Sequence, residues 1–249
     1  MGEIDLSLYE KTIHSQDGED GITFKLFELF GTTNKYYVEF GAEWGNCQNN
    51  TFALRRYKGF SGLLMDCGYS NPSINLHKHF VTKDNVIELF EKYNVPKKFD
   101  LLSLDIDGHD FYALNEILKK YTPRIMICEY NACHPPEDDK VVLETEKEFY
   151  LKDNDGNSYM TDYFGGTLLA FYKLGKFYNY SLVYSTKLGV NCFFIHNDLL
   201  KNTNIKIKNI NDVNKIFNPA RYRHGPGNHI YGMTKDPLKR KYITSNDII

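Results

Sequence analysis

No two cysteines stand in a CxxC arrangement, and the five present, at 47, 67, 128, 133 and 192, are an odd number. That removes a disulfide framework and a thiolate zinc site as organising features, and the thiols read as reduced and mostly buried. Neither GxGxxG nor GxxxxGK[ST] occurs, so a diphosphate cradle is not the natural use of the glycines. No apolar run approaches membrane-spanning length, and the opening Met-Gly-Glu-Ile-Asp lacks the basic-then-apolar layout of a secretion signal. Charge of one sign is missing as well: 30 Lys+Arg face 32 Asp+Glu, which leaves no footprint for nucleic acid. The expectation is a soluble, cytoplasmic, globular chain. Its 249 residues can bury a substantial core as a single domain, 1–249.

What is present is centred on Tyr36-Tyr37-Val38-Glu39-Phe40-Gly41-Ala42-Glu43-Trp44-Gly45-Asn46. An apolar run ends in an acid and a glycine, a second glycine follows, and residues 49–56 can open a helix. Strand, glycine turn and helix N-terminus let a backbone approach a nucleotide-like ligand closely, because glycine carries no Cβ and tolerates positive φ. An acid just before the first glycine suits a cationic or amino-bearing ligand. Bulky Trp44 inside the turn either stacks on a ligand or packs over the turn. Upstream, apolar residues at 22, 26, 27, 29 and 30 predict a short amphipathic helix behind an acidic, solvated cap at 17–20.

Along the chain, Gly62–Asp66 reads as a second strand ending in an acid, His79–Thr82 as a third, and residues 85–93 as a helix stopped before Pro96. The run 99–104 has the composition of a strand buried on both faces and ends in Asp105, Asp107, His109 and Asp110. A helix from Phe111 follows, with Asp110 as its cap, then a strand 123–131 ending in Glu129 and Asn131. Residues 180–185 and 190–195 flank a short turn with a glycine, the signature of an antiparallel hairpin. Strands alternating with helices and closing in that hairpin give a doubly wound, Rossmann-like α/β sheet with an antiparallel last strand. Ligands of such sheets sit beyond the carboxyl ends of the strands, where Glu39, Asp66, Asp105, Asp107 and Glu129 would converge. The polar segments 132–166 and 202–249 are expected as insertions or lids over that site.

These pieces resemble class I S-adenosylmethionine-dependent methyltransferases, and more narrowly the FkbM-like group. The matching segments are Ser-Gln-Asp-Gly-Glu-Asp-Gly (15–21), Val-Glu-Phe-Gly-Ala-Glu-Trp-Gly (38–45), Leu-Leu-Met-Asp (63–66), Leu-Ser-Leu-Asp-Ile-Asp-Gly-His-Asp (102–110) and Glu-Tyr-Asn (129–131). The resemblance implies the seven-stranded class I methyltransferase fold. It also implies O-methylation of a sugar hydroxyl, as in polysaccharide biosynthesis, or of a polyketide. It implies a cofactor set of Gln16, Glu39, Gly41, Asn50, Asp66, Val81, Thr82 and Asp105. Within that set Glu39 and Gly41 face the methionyl part, Asp66 the ribose, Val81-Thr82 the adenine, and Asp105 the cofactor's amino group. Competing functions are a methyltransferase for a phosphate-derived group or other small metabolite, and a non-catalytic nucleoside-binding module.

Methyl transfer from a sulfonium is an in-line displacement that needs the acceptor aligned and its proton removed. Two arrangements fit the residues. In one, Asp107, Glu129 and Asn131 hold Mg²⁺ or another divalent cation, for which hard oxygen donors are suited. In the other, Asp107 or His109 takes the proton directly. Asp105 and Asp107 share one side of an extended strand, so their roles are exchangeable. His134, Arg221 and Arg223 are assigned to acceptor binding, with loop capping and a solvated tail as the competing roles. The expected partner is a small-molecule or carbohydrate acceptor, and the chain is compatible with a homo-oligomer.

Overall fold

The computed structural model describes residues 2–201, 203–221 and 233–249. Seven strands form one sheet: β1 (Tyr36–Phe40), β2 (Ser61–Asp66), β3 (Leu76–Lys78), β4 (Lys98–Leu104), β5 (Thr122–Glu129), β6 (Tyr180–Ser185) and β7 (Asn191–His196). Their spatial order is β3-β2-β1-β4-β5-β7-β6. All neighbouring pairs among β1 to β5 are parallel, and β7 runs antiparallel to both β5 and β6. The doubly wound, seven-stranded sheet with an antiparallel last strand is therefore present.

Strand alternation sorts the apolar residues onto two faces. Val38, Phe40, Leu63, Met65, Leu102, Leu104, Met126 and Cys128 belong to one core. Tyr37, Leu64, Leu101, Ile125 and Ile127 belong to the other. Helices α3 (Val86–Lys92), α4 (Asp110–Leu118) and α5 (Leu168–Phe177) cover the first face with Phe90, Phe111, Leu114, Phe171 and Leu174. Helices α1 (Glu19–Phe30) and α2 (Phe52–Lys58) cover the second with Ile22, Leu26 and Leu54. Because both faces are buried, the strands read as continuous apolar runs with no polar side.

Three details differ from the sequence expectation. The third strand lies at 76–78, ahead of the apolar run 79–82. Asn85 claims that run instead: its side chain accepts from Thr82 N–H at 2.8 Å and donates to the Phe80 carbonyl at 2.9 Å. That cap turns the chain out of the sheet and leaves Phe80 exposed. The acids expected as a solvated cap at 17–20 are not one: Glu19 and Asp20 open α1 itself and are buried. Asp20 accepts from the backbone N–H groups of Ile13, His14 and Ser15 at 2.8, 2.6 and 2.7 Å, and Glu19 accepts from the Asn191 amide at 2.8 Å. The motif thus knots the N-terminal segment and ties it to β7. Nor are most thiols buried: Cys128 and Cys192 are, whereas Cys47 and Cys67 are exposed.

The two polar segments are built together. Val141–Val142 pairs antiparallel with Tyr242–Ile243, Thr161 bridges Thr234, and Tyr150–Lys152 pairs with Ser158–Met160 in a short ribbon. Val142, Phe149, Met160, Tyr163 and Phe164 give this region its own small core.

Candidate active site

The carboxyl ends of β1, β2, β4 and β5 form a mouth, and the turn after β1 is held there from several sides. Gly41 has φ of 67°, and a Cβ on it would lie 2.2 Å from the Asp105 carbonyl oxygen. Glycine is thus required by the approach of two strand ends, in a backbone region other residues enter at a cost. Glu39 does not face the cleft as expected for a contact with the methionyl group. It is buried beneath the turn, accepting from Asn50 N–H at 2.7 Å and from the Thr51 hydroxyl, and so fixes the start of α2. Burial pushes its carboxyl up to about 7, against the opposing effect of those hydrogen bonds. The Asn50 side chain donates to the Ser103 hydroxyl at 2.9 Å, linking the turn to β4.

Asp66 stands at the end of β2 and joins two loops. It accepts from Glu43 N–H at 2.8 Å, Gly68 N–H at 2.6 Å and Tyr69 N–H at 3.1 Å. Three of about four carboxylate acceptor positions are thereby used. Exposed Trp44 packs on Tyr69 with ring centroids 4.0 Å apart, above the loops that Asp66 organises. Gln16 is exposed, and its neighbour Ser15 pairs with Gln48, which brings the first motif against the glycine turn. Val81 is buried and Thr82 half-buried at the entry to α3.

The densest charge lies between β4 and β5. One carboxylate oxygen from each of Asp105, Asp107 and Glu129 falls within 4.8 Å of the others. They do not converge along an extended strand, as the sequence suggested. β4 ends at Leu104, and Asp107 takes a left-handed φ of 55°, which folds the chain back over its own end. Asp110 holds that turn by accepting from Ile106 N–H at 2.8 Å and Gly108 N–H at 3.0 Å, and burial pushes it up to about 6. It also begins α4, where it was expected to precede the helix. Burial raises Asp105 and Glu129 well above the usual carboxylate range although each keeps some accessible surface, and the neighbouring carboxylates add to the shift. Like charges this close cannot all ionise without positive charge beside them.

The remaining expected residues are spent elsewhere. Asn131 is buried, its amide donating to the carbonyls of Asp162 and Phe164 at 2.8 and 2.9 Å and accepting from Cys133 N–H at 3.1 Å. Asp105 therefore completes the oxygen cluster in place of Asn131. His109 packs edge-on against Tyr112 and Phe149, with centroids 5.7 and 5.2 Å away. Its Nε2 is shut off from solvent without a hydrogen bond of good geometry, although the carbonyls of Leu143 and Glu146 face the ring, and burial lowers its pKa. This imidazole is a docking surface for the 141–149 segment, not a base over the mouth. His134 joins the polar segments, with Nε2 2.9 Å from the Tyr242 hydroxyl and Nδ1 3.3 Å from Lys140 Nζ. Exposed Arg221 donates its backbone N–H to the Leu188 carbonyl at 2.8 Å, and Arg223 lies outside the described residues.

Sequence reasoning missed Tyr150. Burial first, and then the negative charge of Asp107 and Glu129, raise its phenol pKa. The alternation of Phe149 and Tyr150 was the one available signal, and a two-residue alternation is too short to read. No helix among the described residues is long and apolar enough to cross a membrane.

No family model matches this sequence, and neither does any curated protein. Among solved structures, the chain is similar to an O-methyltransferase family protein from Burkholderia thailandensis. Identity is 8%, the alignment covers 72% of this chain and 57% of that one, and the TM-score is 0.39. The chain thus spans just over half the length of that protein, and a likeness of this size assigns no activity.

Proposed function

We propose that the protein is an S-adenosylmethionine-dependent O-methyltransferase, acting on a hydroxyl of a sugar or surface-glycan precursor. A divalent cation such as Mg²⁺ is held by Asp105, Asp107 and Glu129. The observation that carries this reading is the clustering of three carboxylates at the ends of β4 and β5, beside the glycine turn of β1 and the partly engaged Asp66 of β2. Oxygen donors alone suit a hard cation. The same acidic mouth suits a ligand carrying sulfonium and ammonium charge, and the remaining acceptor position on Asp66 suits a ribose hydroxyl. The cofactor's contribution when bound is the activated methyl group.

The chain's own residues do the rest. Asp66 and the turn it anchors hold the nucleoside end, while Asp105 and Glu129 concentrate negative charge at the mouth. Asp107, the most exposed of the three, would receive the proton of the acceptor hydroxyl. A phosphate-derived group or other small metabolite is the alternative acceptor, and a nucleoside-binding module without turnover is the alternative of a different class.

The test is calorimetric titration of S-adenosylhomocysteine, with and without Mg²⁺. Acceptors are then screened by transfer of a labelled methyl group to monosaccharides, sugar nucleotides and phosphorylated metabolites. Wild type should bind, and Asp66→Asn should bind about 10–150-fold more weakly, because losing a charged acceptor for a ligand hydroxyl costs roughly 1.5–3 kcal/mol. Absence of binding to wild type in either condition would end the methyltransferase reading.

A further inference from the structure

The loops at the mouth end of the sheet carry large, exposed apolar side chains. Trp44, in the turn after β1, is 60% exposed, and Phe80, just past β3, is 76% exposed. Leu188, in the turn joining β6 to β7, is 37% exposed, and Leu8 near it is 79% exposed. That turn lies at the mouth end because Asn191, the first residue of β7, pairs with Glu129, the last of β5.

Each of these tips is held in place. Trp44 stands between Glu43 and Gly45, both left-handed with φ of 43° and 73°. A left-handed glutamate is a costly conformation, and it belongs to the turn that presents an indole to solvent. Asp66 holds the Glu43 N–H, and the indole rests on Tyr69. His79 donates its N–H to the Asp66 carbonyl at 2.8 Å, and Asn85 donates to the Phe80 carbonyl, which fixes Phe80. Gly189 N–H closes the hairpin turn on the Thr186 carbonyl at 2.9 Å. Lys187 Nζ donates to the Ser7 carbonyl at 3.1 Å, which brings Leu8 to the same tip.

Single exposed apolar residues are ordinary. These share one end of the sheet and stand on separate loops around a cleft. Phe80 and Leu188 belong to its opposite edges, roughly 25 Å apart at about 4.8 Å per strand, with Trp44 between them. A protein partner fits a contiguous patch with an apolar centre, whereas separate tips fit a deformable surface that each can enter. Tryptophan and tyrosine sit readily at a lipid–water boundary. Exposed Lys78 lies two residues from Phe80, and exposed Lys187 and Arg221 flank Leu188, so both outer tips carry cations suited to phosphate headgroups. Exposed Glu43 beside Trp44 limits that charge, which leaves apolar insertion as the larger share.

We propose that the mouth end of the protein docks peripherally on a lipid surface, with Leu8, Trp44, Phe80 and Leu188 entering the interface. The inference goes beyond the methyl-transfer reading and does not depend on it. If both hold, the acceptor is met at that surface.

Trp44 is the only tryptophan of the chain, so its fluorescence reports the contact directly. The full chain is titrated with vesicles of phosphatidylcholine and phosphatidylglycerol in equal parts, and with the same lipids carrying brominated acyl chains. Trp44 emission should shift to the blue with the first and be quenched by the second. Phe80→Ser and Leu188→Ser should each weaken partitioning by about five- to ten-fold, with the unfolding midpoint unchanged. Phe177→Ser, at the C-terminal end of α5 and so at the opposite end of the sheet, removes an equally exposed ring and should change nothing. Trp44 emission that stays unchanged in excess lipid would overturn the inference, as would an equal loss in Phe177→Ser. A blue shift that grows with protein concentration without lipid would overturn it too, and would assign the face to a second copy of the chain. Titration of S-adenosylhomocysteine is read separately, so failure of either reading leaves the other in place.

Discussion

Replacing Glu39 with glutamine should make the protein less sensitive to rising pH. Glu39 is 3% exposed, and burial raises its carboxyl from 4.5 to about 7. The folded state therefore holds the proton more tightly than the unfolded chain does. The resulting stability is complete below about 4.5 and is lost as pH climbs through about 7. Each ten-fold change in proton affinity is worth about 1.4 kcal/mol, so the loss amounts to about 3 kcal/mol. A glutamine preserves the shape, accepting from Asn50 N–H through its carbonyl and presenting its amide to the Thr51 hydroxyl, and it does not titrate. Urea unfolding followed by circular dichroism from pH 4.5 to 8 gives the free-energy difference at each pH. Asp17 and Asp110, both raised to about 6, titrate in both proteins and cancel. The variant should gain about 3 kcal/mol on wild type between the two ends of the range. Parallel curves would refute the reasoning, since they would mean that Glu39 is ionised in the folded protein throughout.

Gly108→Ala should lower the unfolding midpoint, because the methyl group displaces Phe149 from its seat. Limited proteolysis should then cut the 141–160 segment sooner than in wild type. Gly41→Ala meets the Asp105 carbonyl in a left-handed backbone, and a cost of about 2 kcal/mol or more in denaturant unfolding follows from the conformation alone. Thiol titration with a chromogenic disulfide should label Cys47 and Cys67 quickly and Cys133 more slowly. Cys128 and Cys192 should react only on unfolding, since both are buried and burial raises their thiols above the ordinary range. Arg124→Ala removes a 2.8 Å contact to buried Asp100. Thr33 and Lys35 still donate to that carboxylate, so a loss of about 2–3 kcal/mol is expected in the same unfolding assay.

The sheet was legible because its determinants are local and repeated. Residues 101–104 and 125–128 carry apolar side chains at nearly every position, Ser103 being the exception, which is what a strand covered on both faces requires. The turn at Lys187–Gly189 marked the hairpin through backbone chemistry alone. The third strand was misplaced because Phe80 and Val81 resemble strand residues, while the Asn85 cap that removes them from the sheet depends on side-chain geometry. The acids were placed correctly at the strand ends, yet the direction of Glu39 was not, since it turns inward to the N-terminus of a helix that follows it.

The sequence by itself determined the alternation of strands and helices, the antiparallel closing pair, and the presence of carboxylates at the ends of β1, β2, β4 and β5. Those features follow from side-chain period, turn residues and chain order. Only the tertiary structure decided which carboxylates meet. Asp105 and Asp107 converge through a left-handed turn held by Asp110, Asn131 is diverted to carbonyls of the polar insertion, and Phe149 is seated on Gly108. Side-chain direction outside regular elements is set by contacts between residues distant in the chain, and no local pattern encodes it.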